Sequence, residues 1–272
     1  MRNTLSETVR FSGIGLHTGA PVSLEIRPSS VCGVRFFGAD GKMAEASLKN
    51  VKSTVRGTNL SADGLEIFTA EHVLSALAGY GVDDADIHMT GPEPPAMDGS
   101  ALAFAEAVMR AGLSPREAAP PPELKLSKPV EYRAGDVFYR AEPAAKTEFV
   151  FTYVSPHPLI GEQMAVFFPS PRAYLAEIAP ARTFGYEEEV AALRKAGLAR
   201  GGSPQNAVII TKDGFIAEGG LRFRDEFARH KILDMIGDFS LMGARLSGVK
   251  LTAVRGGHGH NVKFAQMLLE AI

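Results

Sequence analysis

The sequence predicts an α+β protein of two similar halves, with the functional site in the cleft between them, and three observations lead there. The run Ala118-Ala119-Pro120-Pro121-Pro122-Glu123 punctuates the chain near its middle. Consecutive prolines cannot continue a helix and favour an extended linker, so residues 1–117 and 125–272 form the halves and 118–124 the linker. Each half opens with strand-like stretches, Val22–Ile26 and Val34–Phe37 in the first, Val137–Ala141 and Phe149–Val154 in the second. Each also ends on helix, strand, loop and helix. These are Thr69–Gly79, Ala85–Met89, Pro92–Gly99 and Ser100–Ala111 in the first half. In the second they are Phe227–Gly243, Val249–Val254, Arg255–His260 and Asn261–Ala271. Aligned on this plan, His72 falls on His230, Gly79 on Gly237, and Asp98 near His258. Strands followed by helices packed on one face argue α+β. A duplicated layer places a pocket between the halves, lined by both first helices.

Composition narrows the function classes. A chain of 272 residues with 45% hydrophobic content can bury a real core. A formal net charge of −2 gives no basic footprint, so nucleic acid is not expected as the main partner. Cys32 stands alone, which excludes an internal disulfide framework and any cysteine-rich metal cluster. Metal chemistry here must therefore use His, Asp or Glu. The start, Met1 to Glu7, lacks the apolar stretch of a signal peptide, and no apolar run approaches the roughly 20 residues needed to span a bilayer. The expectation is a soluble, cytoplasmic protein with no stable membrane span and no obligate protein partner evident.

The most informative segment is Asp225 to Asp238. On a helix, Asp234 lies roughly 40° and Asp238 about 80° round from His230, so the three share one stripe. Ile232, Leu233, Met235, Ile236 and Phe239 fill the remaining turn, which reads as a helix buried on most sides. Isolated carboxylates are costly in such a place. A cation resolves the conflict, because an imidazole and a carboxylate one turn apart can ligate one ion. A His–Asp hydrogen bond flanked by an ion pair to Arg229 or Lys231 is the competing explanation.

Thr69-Ala70-Glu71-His72 opens the first-half helix, with Thr69 as the expected cap. Glu71 and His72 diverge by about 100°, so they cannot occupy equivalent positions. His72 joined with His230 and Asp234 makes three protein ligands and leaves a fourth position open, as catalytic zinc requires. Alone, Glu71-His72 reads more readily as a surface pair. In Arg255-Gly256-Gly257-His258-Gly259-His260-Asn261, glycines let the backbone approach a substrate, and both histidines are candidates for proton transfer. Ser12 to Gly19 is glycine-rich but is neither G-x-G-x-x-G nor a P-loop, and reads as a hairpin-like loop. No G-x-S-x-G elbow occurs, so a serine hydrolase has no support. His88 reads as structural, and His157 has no metal-ligand spacing.

Six ordered blocks together resemble the UDP-3-O-acyl-N-acetylglucosamine deacetylase family of lipid A biosynthesis. They are Ser12–Gly19, Thr69–Leu74, Gly91–Ser100, Ala181–Gly185, Glu218–Gly243 and Gly256–Asn261, spread over essentially the whole chain. The resemblance implies a zinc enzyme removing acetate from the 2-amino group of a UDP-linked, 3-O-acylated glucosamine. By that resemblance His72, His230 and Asp234 are the ligands, although His₂Asp also suits Fe²⁺. Glu71 is the general base, His258 the catalytic histidine, Asp238 the carboxylate that orients it, and Thr183 a hydroxyl near the reacting water. Lys231 and Phe184 line the substrate site, and His17 lies in an element near it. The family fold has pseudo-symmetric halves, the second carrying a βαβ insert that forms an acyl passage. Here the insert falls at about 186–212, with Leu193, Leu198 and Val208 as wall residues.

Some positions depart from the family pattern. Gln205 stands near a commonly acidic position, Val137 replaces a lysine that some members use at the nucleotide phosphates, and His260 replaces an apolar residue. Arg133 or Arg140 are the nearby candidates to compensate for Val137. Two rival readings stand beside this one. A metal amidohydrolase acting on a different N-acyl sugar would show in turnover on simple N-acetyl sugars. A non-catalytic nucleotide-sugar-binding protein has no need of a general base beside an open metal position.

Overall fold

Period-two burial sets the strands. In Pro21–Pro28 the side chains of Val22, Leu24 and Ile26 are buried while their neighbours face outward. Ala85–Met89 buries Ala85, Ile87 and Met89, and Val249–Val254 buries Val249, Leu251 and Ala253. Each strand therefore offers one apolar face, which must be covered.

In the computed structural model, which describes residues 1–272, these strands form two five-stranded sheets of identical plan. The first runs Val9–Ile14, Pro21–Pro28, Ala85–Met89, Val34–Phe37, Met43–Glu45. The second runs Val130–Ala134, Val137–Pro143, Val249–Val254, Glu148–Val154, Glu162–Phe167. In each, the central strand is the last to arrive, pairing antiparallel on one side and parallel on the other. Matching strand order and pairing sense carry the internal duplication much further than two aligned residues did.

Helices Glu71–Tyr80 and Leu102–Ala111 cover the first sheet, and Glu226–Ser240 and His258–Glu270 the second. The two helix layers then pack face to face, so Glu71–Tyr80 crosses Glu226–Ser240 at the centre of the molecule. One cluster of 47 buried residues draws on both halves, so they share a single core. The protein is α+β, with helices segregated to one face of each sheet. No helix is long and apolar enough to cross a membrane.

The central crossing depends on Gly237. A Cβ there would sit 2.2 Å from the Glu71 carbonyl oxygen, so only glycine lets the two backbones approach this closely. The aligned Gly79 serves another contact, since its Cβ would fall 2.5 Å from the Tyr174 ring. The two glycines match in sequence and in fold position but not in neighbour.

Each half interrupts its plan at the same place, between the fourth strand and the first long helix. The first half inserts a three-stranded antiparallel sheet, Val51–Ser53, Asn59–Ala62 and Leu65–Ile67. The second carries strand Phe184–Tyr186, helix Glu187–Lys195 and strand Val208–Thr211, the two strands parallel, with Gly214–Ile216 added antiparallel. The first-half sheet had no sequence signal, because its short strands lie among glycines and polar residues.

Three local expectations are corrected. Helix His258–Glu270 begins earlier than Asn261: Gly257 caps it and the Asn261 amide closes the first bond to the Gly257 carbonyl at 2.8 Å. The low helix propensity of Gly259 is overridden there by the anchoring of His258. Thr69 does not cap Glu71–Tyr80, because its hydroxyl donates to Glu93 instead, at 3.0 Å. The stretch 118–124 ends as a strand, Glu123–Leu124 pairing with Arg245–Leu246, and buries Leu124 rather than leaving it in an open linker.

Candidate metal centre and active site

The helix crossing brings His72, from the first half, against His230 and Asp234 on the buried stripe of the second. The His72 and His230 rings meet edge to face with centroids 5.1 Å apart. Asp234 Oδ1 lies 3.3 Å from His230 Nε2 and 3.8 Å from His72 Nε2. One ligand atom from each residue falls within 4.8 Å of the others.

Proton placement suits this cluster to a cation. His230 Nδ1–H donates to the Ala181 carbonyl at 3.1 Å, which leaves Nε2 as a bare lone pair facing Asp234. Burial pushes the His230 imidazole down to about 3 and lowers His72 as well, so both rings are neutral. Burial opposes charge on Asp234, but the surrounding His230, Lys231, His258 and His72 hold its carboxyl well below the usual carboxylate range. Asp234 Oδ1 is buried and has no hydrogen-bond donor, whereas Oδ2 accepts from Lys231 Nζ at 2.8 Å. Imidazole lone pairs converging on an orphaned carboxylate oxygen repel one another, and a divalent cation satisfies all of them. Two imidazoles and a carboxylate suit Zn²⁺, and equally Fe²⁺.

A second triple, Glu71, Asp234 and His258, is also close. It is the poorer donor set, because His258 is a cation. Burial would lower this imidazole, but Asp238, Asp234 and Glu71 outweigh it and lift it to about 10. His258 Nδ1–H donates to Asp238 Oδ2 at 3.0 Å, and Nε2 points toward Glu71 Oε1 at 3.8 Å. Asp238 itself is fully buried and takes further bonds from Thr58 Oγ1 at 2.5 Å and Asn261 Nδ2 at 2.8 Å. Tyr139 in turn donates its hydroxyl to Asn261.

Glu71 faces this cation from the first half. Its Oε2 accepts the Thr58 amide at 2.8 Å, which leaves Oε1 free. Burial raises the Glu71 carboxyl to about 7; His258 opposes the rise, while Asp238 and Asp234 add to it. A general base works best with a pKa near the operating pH. The turn before it is strained: Thr69 is β-branched yet has φ of +53°, a conformation costing about 1–3 kcal/mol. Glu93 and Asn59 hold it, through the Thr69 hydroxyl and amide at 3.0 Å each.

These groups line a cavity of about 330 Å³ that also takes in Thr183, Phe184, Lys231, Tyr153 and Tyr186. Lys231 Nζ lies 5.1 Å from the centre of the Phe184 ring. A larger cavity, about 730 Å³, opens at the far ends of the two central helices and contains none of the histidines or carboxylates of the site.

Of the residues expected at the site, His72, His230, Asp234, Glu71, His258, Thr183, Phe184 and Lys231 line the smaller cavity, with Asp238 directly behind His258. Four others also do not line it. His17 Nε2–H donates to the Arg56 carbonyl at 3.0 Å and its Nδ1 accepts the Ala199 amide at 3.3 Å, so it ties two loops together beside the cavity. Val208 is fully buried in a satellite cluster with Ile160, Ile210 and Phe227. Leu193 and Leu198 are half-buried elsewhere on the insert; the aromatic wall of the cavity is Tyr153, Phe184 and Tyr186 instead. Thr58 and Asn261 were missed altogether. Nothing local in sequence marks a threonine or asparagine that acts only by holding a distant carboxylate, from the other half for Thr58 and from a neighbouring helix for Asn261.

The arrangement makes a pH prediction. If His258 acts protonated and Glu71 ionised, activity rises with pH through the Glu71 value near 7 and falls through the His258 value near 10. Asp238→Asn removes the anion that lifts His258, so the alkaline limb should move to lower pH by about one to two pH units. A kcat/KM profile checks this, and an unmoved alkaline limb would disprove the Asp238–His258 coupling.

Comparison with known proteins gives the family. A family model described as UDP-3-O-acyl N-acetylglycosamine deacetylase matches residues 2–270. A protein of Wolinella succinogenes with that deacetylase name, UDP-3-O-acyl-N-acetylglucosamine deacetylase, is 40% identical over 271 residues, covering 99% of this chain and 90% of its own. Proteins of the same name from Thermosynechococcus vestitus and Campylobacter jejuni are 41% identical over 246 residues and 39% over 260. They cover 89% and 95% of this chain, and 85% and 88% of their own. Similarity of this extent, continuous through both halves and both central helices, makes the chain a member of the UDP-3-O-acyl N-acetylglycosamine deacetylase family.

Proposed function

We propose that this protein hydrolyses the N-acetyl group of a UDP-linked 3-O-acyl-N-acetylglucosamine, with a divalent cation held by His72, His230 and Asp234. The observation that carries the reading is the pairing of that donor set with a free Glu71 oxygen and a cationic His258 in one cavity. When bound, the cation supplies Lewis-acid stabilisation of the amide oxygen and acidifies water enough for its use near neutral pH.

The chain's own groups do the rest. Glu71 Oε1 accepts a proton from the attacking water, whose oxygen bonds to the acetyl carbon. His258 donates to the oxygen on which negative charge develops, together with the Thr183 hydroxyl. As the carbon–nitrogen bond breaks, His258 gives its proton to the leaving amine, and acetate and the free 2-amino sugar result. Asp238, held by Thr58 and Asn261, keeps His258 charged and oriented. Lys231 and Phe184 flank the sugar. Tyr153 and Tyr186, with Phe184, give the 3-O-acyl group an apolar surface to follow toward the insert, where Leu193, Leu198 and Val208 are further candidates for its path.

The test is acetate release from the UDP-linked acyl sugar with and without a chelator. Turnover should vanish with chelator and return on adding Zn²⁺ or Fe²⁺. Chelator-resistant turnover would overturn the metal assignment, and equal turnover of simple N-acetyl sugars would point to a different N-acyl substrate.

A further inference from the structure

The substrate proposed above carries a diphosphate, yet beyond His258, which the reaction itself uses, the cavity offers little positive charge to receive one. Among its lining residues only Arg56 and Lys231 are lysine or arginine. Lys231 is committed to Asp234 Oδ2 at 2.8 Å and lies against Phe184. The two arginines expected to compensate for Val137 do not line the cavity. Arg140 is ion-paired with both Glu131 and Glu142, and Arg133 lies 4.1 Å over the Phe138 ring.

Arg56 is differently placed. It sits in the first-half insert, between strands Val51–Ser53 and Asn59–Ala62, and its Nη1 donates to Glu189 Oε2 at 2.9 Å. Glu189 belongs to the second-half insert, in the acidic first turn of helix Glu187–Lys195. The pair therefore spans the mouth from one insert to the other. Both side chains are partly exposed, 44% and 38%, so this ion pair is weak and readily exchanged. Its backbone is held firmly by contrast. Arg56 has φ of +60°, and its carbonyl accepts from His17 Nε2–H at 3.0 Å. The next residue, Gly57, abuts the catalytic carboxylate: a Cβ there would lie 3.1 Å from Glu71 Oε1. A guanidinium that lines the same cavity as the base, on an anchored backbone, and already engages a carboxylate is suited to bind an oxyanion. Without it, Glu187, Glu188 and Glu189 would repel an incoming diphosphate.

We propose that Arg56 is a specificity residue that binds the diphosphate of the nucleotide-linked substrate, exchanging Glu189 for it. This rests on the substrate class given above, and the experiment keeps the two apart. Kinetics are measured on the UDP-linked acyl sugar and on the same sugar without nucleotide, with UDP as a competitive inhibitor, across a range of salt. Arg56→Gln should raise KM for the nucleotide-linked sugar and the UDP inhibition constant about tenfold each, with the effect on KM rather than kcat. The salt dependence of KM should flatten, and the nucleotide-free sugar should be unaffected. Arg56→Lys should recover part of the loss. Glu189→Gln should tighten UDP severalfold by releasing the fork.

Values for Arg56→Gln within about twofold of wild type would overturn the proposal, as would an equal loss on both sugars, which marks a structural defect. Should the wild-type protein release no acetate at all, the substrate reading fails. UDP binding by calorimetry to wild type and Arg56→Gln then still decides the role of Arg56, tighter binding by wild type supporting it and equal binding refuting it.

Discussion

Replacing His230 by alanine should empty the centre of its cation and lower kcat/KM by more than about 10³-fold, since the ion supplies several kcal/mol of charge stabilisation. His230 contributes the one donor whose direction is set by a backbone bond, Nδ1–H to the Ala181 carbonyl at 3.1 Å. Its removal leaves His72 and Asp234, two donors from different halves, with no third to close the set. The substitution also takes away a buried ring that packs against His72 and Phe184, so some stability is lost with the metal. Elemental analysis separates the outcomes. A His230→Ala protein with a full complement of zinc or iron and normal turnover would refute the ligand assignment. His88→Ala is the control. That ring stacks on Phe37 in the first sheet at 4.6 Å, away from the cavity, and its loss should spare both metal and turnover.

His258→Ala should behave in the opposite way, keeping its metal while kcat falls about 10²–10⁴-fold. The donor set does not include His258, and the residue stands on its own helix, His258–Glu270. What disappears is the cation that faces Glu71 Oε1 at 3.8 Å. Asp238 stays satisfied in part, because Thr58 and Asn261 still donate to it; the fold should survive with a lower melting temperature. Metal content, circular dichroism and single-turnover acetate release together make the test. Near-normal turnover in this variant would remove His258 from the acid role and leave the oxyanion to Thr183 and the ion.

Much of this was legible because chemistry left a mark on pattern. The stripe His230, Asp234, Asp238 could be read as a buried polar conflict, and the structure divides it between a group able to hold an ion and one histidine–carboxylate pair. Strands Val34–Phe37, Ala85–Met89 and Val249–Val254 fall where their strand-like composition put them, with unchanged bounds. The residues that escaped notice act through contacts between separate elements, most of them across the halves. Thr58 and Asn261 converge on Asp238 from separations of 180 and 23 residues, and Arg56 meets Glu189 across 133. Such contacts have no local period. Helix starts failed for a related reason: Thr69 looked like a cap, but a distant carboxylate, Glu93, claimed its hydroxyl. His17 was placed near the site by its motif, and it is near, but it fastens loops and does not line the cavity.

The bare Cα at position 237 has a mechanical consequence. With main chain resting on main chain at the crossing, the lobes are welded along their shared axis and have no seam to swing open. A substrate must then thread in past the decorations on the rim, and any gating motion belongs to those two appendages. Glu71, His72, His230 and Asp234 are seated on the weld itself, on the two helices that cross there.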